Sequence, residues 1–125
     1  MEWLVEYTDQ FETWWDGSTE AEQEDIAAAV EVLEPRGRAL SRPHVDTIGS
    51  SRDANMKELR VQYAGRPYRI LFAFDPRRCA ILLIGGDKTG QDRRYEEHGP
   101  IADRLYDEHL ETLHREEEAR RREEQ

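Results

Sequence analysis

Residues 55–88, NMKELRVQYAGRPYRILFAFDPRRCAILLIGGDK, decide the fold. Val61-Gln62-Tyr63 and Tyr68 to Phe74 are extended runs joined by Ala64-Gly65-Arg66-Pro67, and Asp75-Pro76-Arg77-Arg78 turns the chain into Cys79 to Ile84. Turn residues between β-branched and aromatic runs predict a meander of three antiparallel strands. The two-residue period of the middle strand puts Tyr68, Ile70, Phe72 and Phe74 on one face and Arg69, Leu71, Ala73 and Asp75 on the other. The preceding strand alternates in the same way, with Met56, Glu58, Arg60 and Gln62 set against Lys57, Leu59, Val61 and Tyr63. Arg60 and Arg69 therefore each stand opposite an apolar row, and two strands deliver an arginine to what reads as one surface.

Outward from this stretch, Trp3 to Tyr7 alternates as a further strand with Trp3, Val5 and Tyr7 inward, and Asp9 is the expected cap of a short helix stacking Phe11, Trp14 and Trp15 on one face. Thr19 and Glu22 have capping-box spacing at the head of a second helix. Its apolar stripe is Ile26, Val30 and Leu33, and Glu20, Glu24, Asp25 and Glu31 lie outside. Pro35 is expected to end this helix, since the residue before proline is pushed out of the α region. Residues 36–55, rich in Gly, Ser, Arg and Pro, read as a long surface connection. Beyond Lys88 a polar loop is expected as far as Gly99, with Pro100 at a first helical position. The stripe Ile101, Leu105 or Tyr106, Leu110 and Leu113 then marks a C-terminal helix. From His114 the sequence is charged and either continues as a solvated helix through Glu–Arg pairs or frays. Residues 1–113 thus form one α+β domain, in the order strand, helix, helix, three-stranded antiparallel meander, C-terminal helix, and residues 114–125 form a charged helical extension or tail.

At 125 residues there is room for one core. No apolar run approaches the roughly 20 residues of a membrane helix, so no membrane partner is expected. The chain opens without a basic leader, and its single cysteine, Cys79, has no partner; the expected setting is the cytoplasm. The net charge of −10 is unevenly distributed. Residues 1–34 hold 11 acids and no Lys or Arg, residues 35–95 hold 13 bases against 6 acids, and residues 96–125 hold 11 acids against 5 bases. A basic middle between acidic ends fits either an electrostatic footprint for an anion such as RNA or internal neutralisation.

The familiar catalytic signatures are absent: no phosphate-binding glycine loop, no GxSxG, no CxxC, no HExxH. His109 and His114 lie five apart, a poor spacing for one metal, so neither metal nor cofactor is expected. What remains is the basic set Lys57, Arg60, Arg66, Arg69 and Lys88. The arginine fork matches phosphate oxygens, and a lysine charge can stabilise a developing phosphorane or leaving group. That chemistry suits metal-free cleavage of RNA, where the 2′-hydroxyl is the nucleophile and the protein orients it and moves protons. A solvated strand face is the competing reading for each of these residues taken singly.

The stretch KELRVQYAGRPYRILFAFDPRRCAILLIGGDKTG closely resembles the HigB branch of the RelE/ParE toxin superfamily, including phage Gp49-like proteins. Glu58-Leu59-Arg60, Arg69-Ile70-Leu71-Phe72, and an apolar strand leading to Lys88 and Thr89 carry the resemblance; Arg42-Pro43 and the Trp3-to-Trp15 segment extend it to about residues 1–113. The resemblance implies a RelE-like fold and the toxin of a type II toxin–antitoxin pair that cleaves mRNA on the ribosome. The implied partners are a helix-turn-helix antitoxin, the ribosome and its mRNA, with operator DNA met only through the antitoxin. It also implies Arg60, Arg69 and Lys88 as catalytic residues, with Lys57 and Arg66 as RNA-binding residues. Asp87, where a second lysine is common, and the acidic, longer segment Gln91 to Gly99 depart from the family pattern. The general acid and base thereby stay open, with Tyr95 and His98 as candidates. The same fold also serves gyrase-blocking toxins and inactive binding modules.

Overall fold

The computed structural model describes residues 3–48, 55–63, 66–87 and 92–124. Five strands form one sheet, β1 (Leu4–Tyr7), β2 (Val45–Thr47), β3 (Lys57–Tyr63), β4 (Arg66–Phe74) and β5 (Cys79–Asp87), in the spatial order β1-β5-β4-β3-β2. Helices α1 (Asp9–Asp16) and α2 (Glu20–Arg36) cover one face, and α3 (Asp92–Glu123) covers the other. The expected meander is present as β3-β4-β5, antiparallel throughout, with β1 added parallel to β5. At the turn after β4, the Asp75 amide donates to the Cys79 carbonyl and Arg78 takes φ 66°.

The two faces of β4 bury different things. Tyr68, Ile70, Phe72 and Phe74 pack under α1 and α2 with Phe11, Ile26 and Leu33, as alternation requires. Leu71 and Ala73 meet Met56, Cys79, Ile81 and Leu83 beneath Ala102, Leu105 and Tyr106 of α3. The sheet is thus sandwiched, and the arginine-bearing face is a core face along half its length. The Tyr106 hydroxyl donates to the Phe74 carbonyl at 2.7 Å, and His109 Nε2 lies 3.0 Å from Asp75 Oδ2. Both contacts fix α3 across the far end of the sheet.

Several local expectations are corrected. Thr8, not Asp9, caps α1, its hydroxyl accepting from the Phe11 amide at 3.1 Å, so Asp9 is the first helical residue. Tyr7 is not inward: it is 59% exposed, as is Leu4 at 72%, because β1 is an edge strand with little packed beyond it. The Thr19–Glu22 capping box forms as expected, and Glu22 Oε2 also accepts from the Tyr68 hydroxyl at 2.6 Å, tying α2 to β4. Pro35 does not stop α2, which runs one residue further to Arg36. The stop is Gly37, at φ 50°, where a Cβ would overlap the Trp3 indole. The supposed connection after α2 contains a short 3₁₀ turn (Gly37–Ala39) and strand β2, which pairs antiparallel with β3. Three residues are too few for a visible period, and β3 supplies the ladder that holds them. The C-terminal helix begins at Asp92, not Pro100, so Tyr95 and His98 are helical. Pro100 sits inside it. It continues past His114 to Glu123, Arg115 and Arg121 pairing with Glu111 and Glu117 four residues back. Among the described residues no helix is long and apolar enough to cross a membrane.

Candidate functional site

Arg60 and Arg69 are direct cross-strand partners in the β3–β4 ladder. Arg69 in turn faces Gly86 of β5. One row, perpendicular to the strands, therefore holds Arg60, Arg69 and Gly86 on the α3 side of the sheet. A bulge makes this possible: Leu71 pairs with Ile84 but Phe72 with Leu82, leaving Leu83 as an extra residue. Past the bulge the alternation is reversed, so Gly85 meets the Trp14 ring of α1 and Gly86 meets the His98 ring of α3. A Cβ built on Gly86 would come within 2.5 Å of the imidazole. Glycine at this position is what lets the histidine ring approach the sheet at the row that holds Arg69.

The charges in the row are interleaved. Glu58, two residues before Arg60 on the same face, is only 5% exposed, and its Oε1 lies 3.5 Å from Arg60 Nε and 3.6 Å from Arg69 Nε. Neither Nε hydrogen makes an aligned hydrogen bond, so two buried donors converge on one oxygen without being satisfied by it. Arg69 Nη1 donates to the Tyr68 carbonyl at 3.1 Å. Burial pulls the Arg69 guanidinium below its ordinary pKa, Glu58 opposes this, and Arg60 reinforces it. Arg60 is the more open of the two, with its side chain 31% exposed, and its Nη2 reaches Asp46 of β2 at 3.0 Å. Asp46 is shared with Arg42 at 3.0 Å; the Thr47 amide and then Arg42 hold its carboxyl below the usual range. Three arginines and two carboxylates alternate from the sheet edge inward, which leaves an excess of one positive charge concentrated at Arg60 and Arg69.

The other expected site residues fare differently. His98 joins the row. Lys57 does not: it shares the Leu59 and Val61 side of β3 and pairs with Phe72, two positions below Leu59 and on the opposite face from Arg60. Arg66 opens β4 opposite Tyr63, and Tyr95 lies in the first turns of α3, but the side chains of both are outside the described part. Lys88 lies outside the described residues altogether. Two residues belong to the site that sequence reasoning did not single out. Glu58 was visible as an acid two places from Arg60 on the same face. Asp46 gave no signal, because β2 itself did not.

Residues 13–107 match the family model described as phage-derived protein Gp49-like. The chain belongs to the Gp49-like family. The sequence is 44% identical over 106 residues to HigB3 of Mycobacterium tuberculosis, a designated candidate toxin, covering 84% of this chain and 91% of the relative. It is 46% identical over 104 residues to HigB2 of the same organism, covering 82% of this chain and 52% of that relative, so the chain spans about half the length of HigB2. Among solved structures, a double arginine-to-alanine variant of the Escherichia coli toxin RelE in its free state superposes with a TM-score of 0.52 at 11% identity, over 77% of this chain and 94% of RelE. The archaeal RelE–RelB complex from Pyrococcus horikoshii superposes with a TM-score of 0.51 at 14% identity, over 73% and 100%. At such identities the structures speak for the fold alone, which is that of RelE, while the sequence relatives make this Gp49-like chain a HigB-type protein.

Proposed function

We propose that this Gp49-like protein is the toxin of a type II toxin–antitoxin pair and an endoribonuclease that cleaves mRNA on the ribosome in the cytoplasm. The observation that carries the reading is the Arg60–Arg69 pair, two adjacent guanidiniums with unsatisfied Nε donors in a row that ends at an imidazole. A phosphate diester can approach Arg60, whose side chain is 31% exposed, and the fork geometry of arginine suits two of its oxygens. His98, one strand away from Arg69, is the proton-transfer candidate of the row. In the reaction the 2′-oxygen attacks phosphorus, its proton passes to a base, and the 5′-oxygen leaves with a proton from an acid. The arginines neutralise the phosphorane charge between these events. Glu58 holds both guanidiniums at the spacing this requires, and Lys88 and Arg66 are proposed to add positive charge around the RNA. A ribosome must supply the strained in-line RNA conformation, since nothing in the row would impose it on a free strand.

The reading is tested by inducing the protein in a bacterial host and mapping mRNA 5′ ends, alongside the Arg60→Ala variant. Growth arrest with new mRNA ends that vanish in the variant supports it. Arrest with DNA damage and intact mRNA would replace it by gyrase inhibition, and no arrest by a binding module. A complex with the helix-turn-helix product of an adjoining gene would identify the antitoxin, and toxin-free binding of that product to operator DNA would show that DNA contact is the antitoxin's.

A further inference from the structure

Arg60 does not stand open to a phosphate on every side. Its Nε is buried, 3.5 Å from Glu58 Oε1, so a two-pronged hold on a diester must use the other edge of the guanidinium, Nη1 with Nη2. Nη2 already donates to Asp46 Oδ2 at 3.0 Å. Asp46 is placed there by the edge strand β2, whose register sets it opposite Glu58 in the ladder with β3. Its side chain is 17% exposed, and the carboxyl is ionised at neutral pH. A carboxylate on that nitrogen takes the place of a phosphate oxygen and repels the phosphate that would replace it. The same carboxylate has other partners to fall back on. Its Oδ1 accepts from the Thr47 amide at 2.8 Å, and its Oδ2 also lies 3.0 Å from Nε of Arg42, a side chain 77% exposed. Asp46 therefore stays paired if Arg60 leaves it. Glu58 is 5% exposed and sits between two guanidiniums, so its contacts are fixed where that of Asp46 can exchange.

We propose that Asp46 is a specificity-determining residue of the arginine row: it competes with the substrate phosphate for Arg60 and yields the guanidinium, keeping Arg42, to a diester that is already held in place. The proposal rests on the reading of this row as the RNA-cleaving site. A free strand must displace the carboxylate and lose its own conformational freedom in the same step. A strand held by the ribosome has lost that freedom beforehand, and its phosphate meets Arg60 at a high effective concentration, so the exchange goes forward. No covalent bond changes and no proton moves; Nη2 exchanges one oxygen for another. Acting through Arg60, Asp46 is a positioning residue that sets which RNA the row accepts.

The test uses the full chain and two probes. A short single-stranded deoxyoligonucleotide, which lacks the 2′-hydroxyl and is not cleaved, reports binding by fluorescence anisotropy, and ribosome-held mRNA reports steady-state cleavage. Asp46→Asn keeps an acceptor for the Thr47 amide and removes the charge. It should tighten oligonucleotide binding about fivefold at low salt and steepen the log–log salt dependence by roughly 0.7, as one more phosphate contact would. In the Arg60→Ala background the same substitution should change binding less than about twofold. On ribosome-held mRNA the effect should fall on KM, and by less than on the free oligonucleotide. Asp46→Ser also lacks the charge and should reproduce the gain, with circular-dichroism melting to show that each variant folds. Weaker or unchanged oligonucleotide binding by the folded variants would overturn the proposal and make Asp46 a brace for Arg60. An equal gain with and without Arg60 would also overturn it, leaving plain charge repulsion. If the wild type cleaves mRNA and the variants show no gain, the ribonuclease reading stands and the role of Asp46 falls. If the wild type cleaves no mRNA and the gain persists and needs Arg60, the ribonuclease reading falls and the competition for Arg60 stands.

Discussion

Replacing Arg69 with alanine should cost both activity and stability, and the two losses can be separated. Alternation along β4 puts Arg69 opposite the aromatic row, which from sequence reads as a surface position that can be truncated freely. In the fold it is 9% exposed, held between the Tyr68 carbonyl and Glu58. Removing one partner of a fully buried ion pair costs about 3 to 5 kcal/mol, mostly through the charge left behind. Here Glu58 keeps Arg60 at 3.5 Å, so about half of that, roughly 2 kcal/mol, is expected. For a domain of this size the melting temperature should fall by about 8 °C, taking roughly 4 °C per kcal/mol. Arg69→Lys retains the charge but not the fork, and should recover more than half of the lost stability while recovering little mRNA cleavage. The assays are thermal unfolding by circular dichroism and ribosome-programmed cleavage at a temperature where all three proteins are folded. If Arg69→Ala melted with the wild type and Arg69→Lys cleaved at full rate, the buried, fork-dependent role assigned to Arg69 would be wrong.

Arg60→Ala removes a more open side chain that shares Asp46 with Arg42; it should shift melting by only about 2 to 4 °C yet reduce cleavage at least as much as Arg69→Ala, and single-turnover kinetics decide this. Gly86→Ala should displace the His98 ring, lowering cleavage while leaving ribosome binding intact, and an unchanged cleavage rate would remove His98 from the site. At the far end of the sheet, Asp75 is fully buried; burial opposes its ionisation, but Arg77, His109 and the Cys79 and Arg77 amides outweigh it and hold its pKa below the ordinary value. A depressed carboxylate stabilises the fold above its unfolded pKa of about 3.9 and loses that contribution as pH falls through the folded value. Asp75→Asn should therefore lower stability at pH 7 and flatten the acid limb of the stability profile, as urea titrations between pH 7 and pH 2 would reveal. Cys79, whose thiol burial pushes up to about 11, should resist alkylation in the folded protein and react on unfolding.

Local rules were enough for much of this. The two-residue period of residues 57–84 sorted Arg60 and Arg69 onto one face, and the turn residues at Asp75 to Arg78 set β4 against β5, because strand alternation and turn chemistry depend on neighbours in the chain. The same holds for the Thr19–Glu22 box and the apolar stripe of α2. What the chain alone could not decide are the features that depend on distant partners. Strand β2 exists because β3 offers it a ladder, and with it comes Asp46 beside Arg60. Pro35 and Pro100 lie inside helices although each lacks an amide hydrogen, and α3 starts early enough to bring His98 to the sheet. The bulge at Leu83 decides that Gly86, and not Gly85, lies under that ring. Tyr7 stands exposed because β1 is an edge strand, a matter of strand order. Sequence patterns state which face a residue occupies, but what covers that face is settled only when α3 crosses it, and this is why Arg69 reads as a surface residue and folds as a buried one.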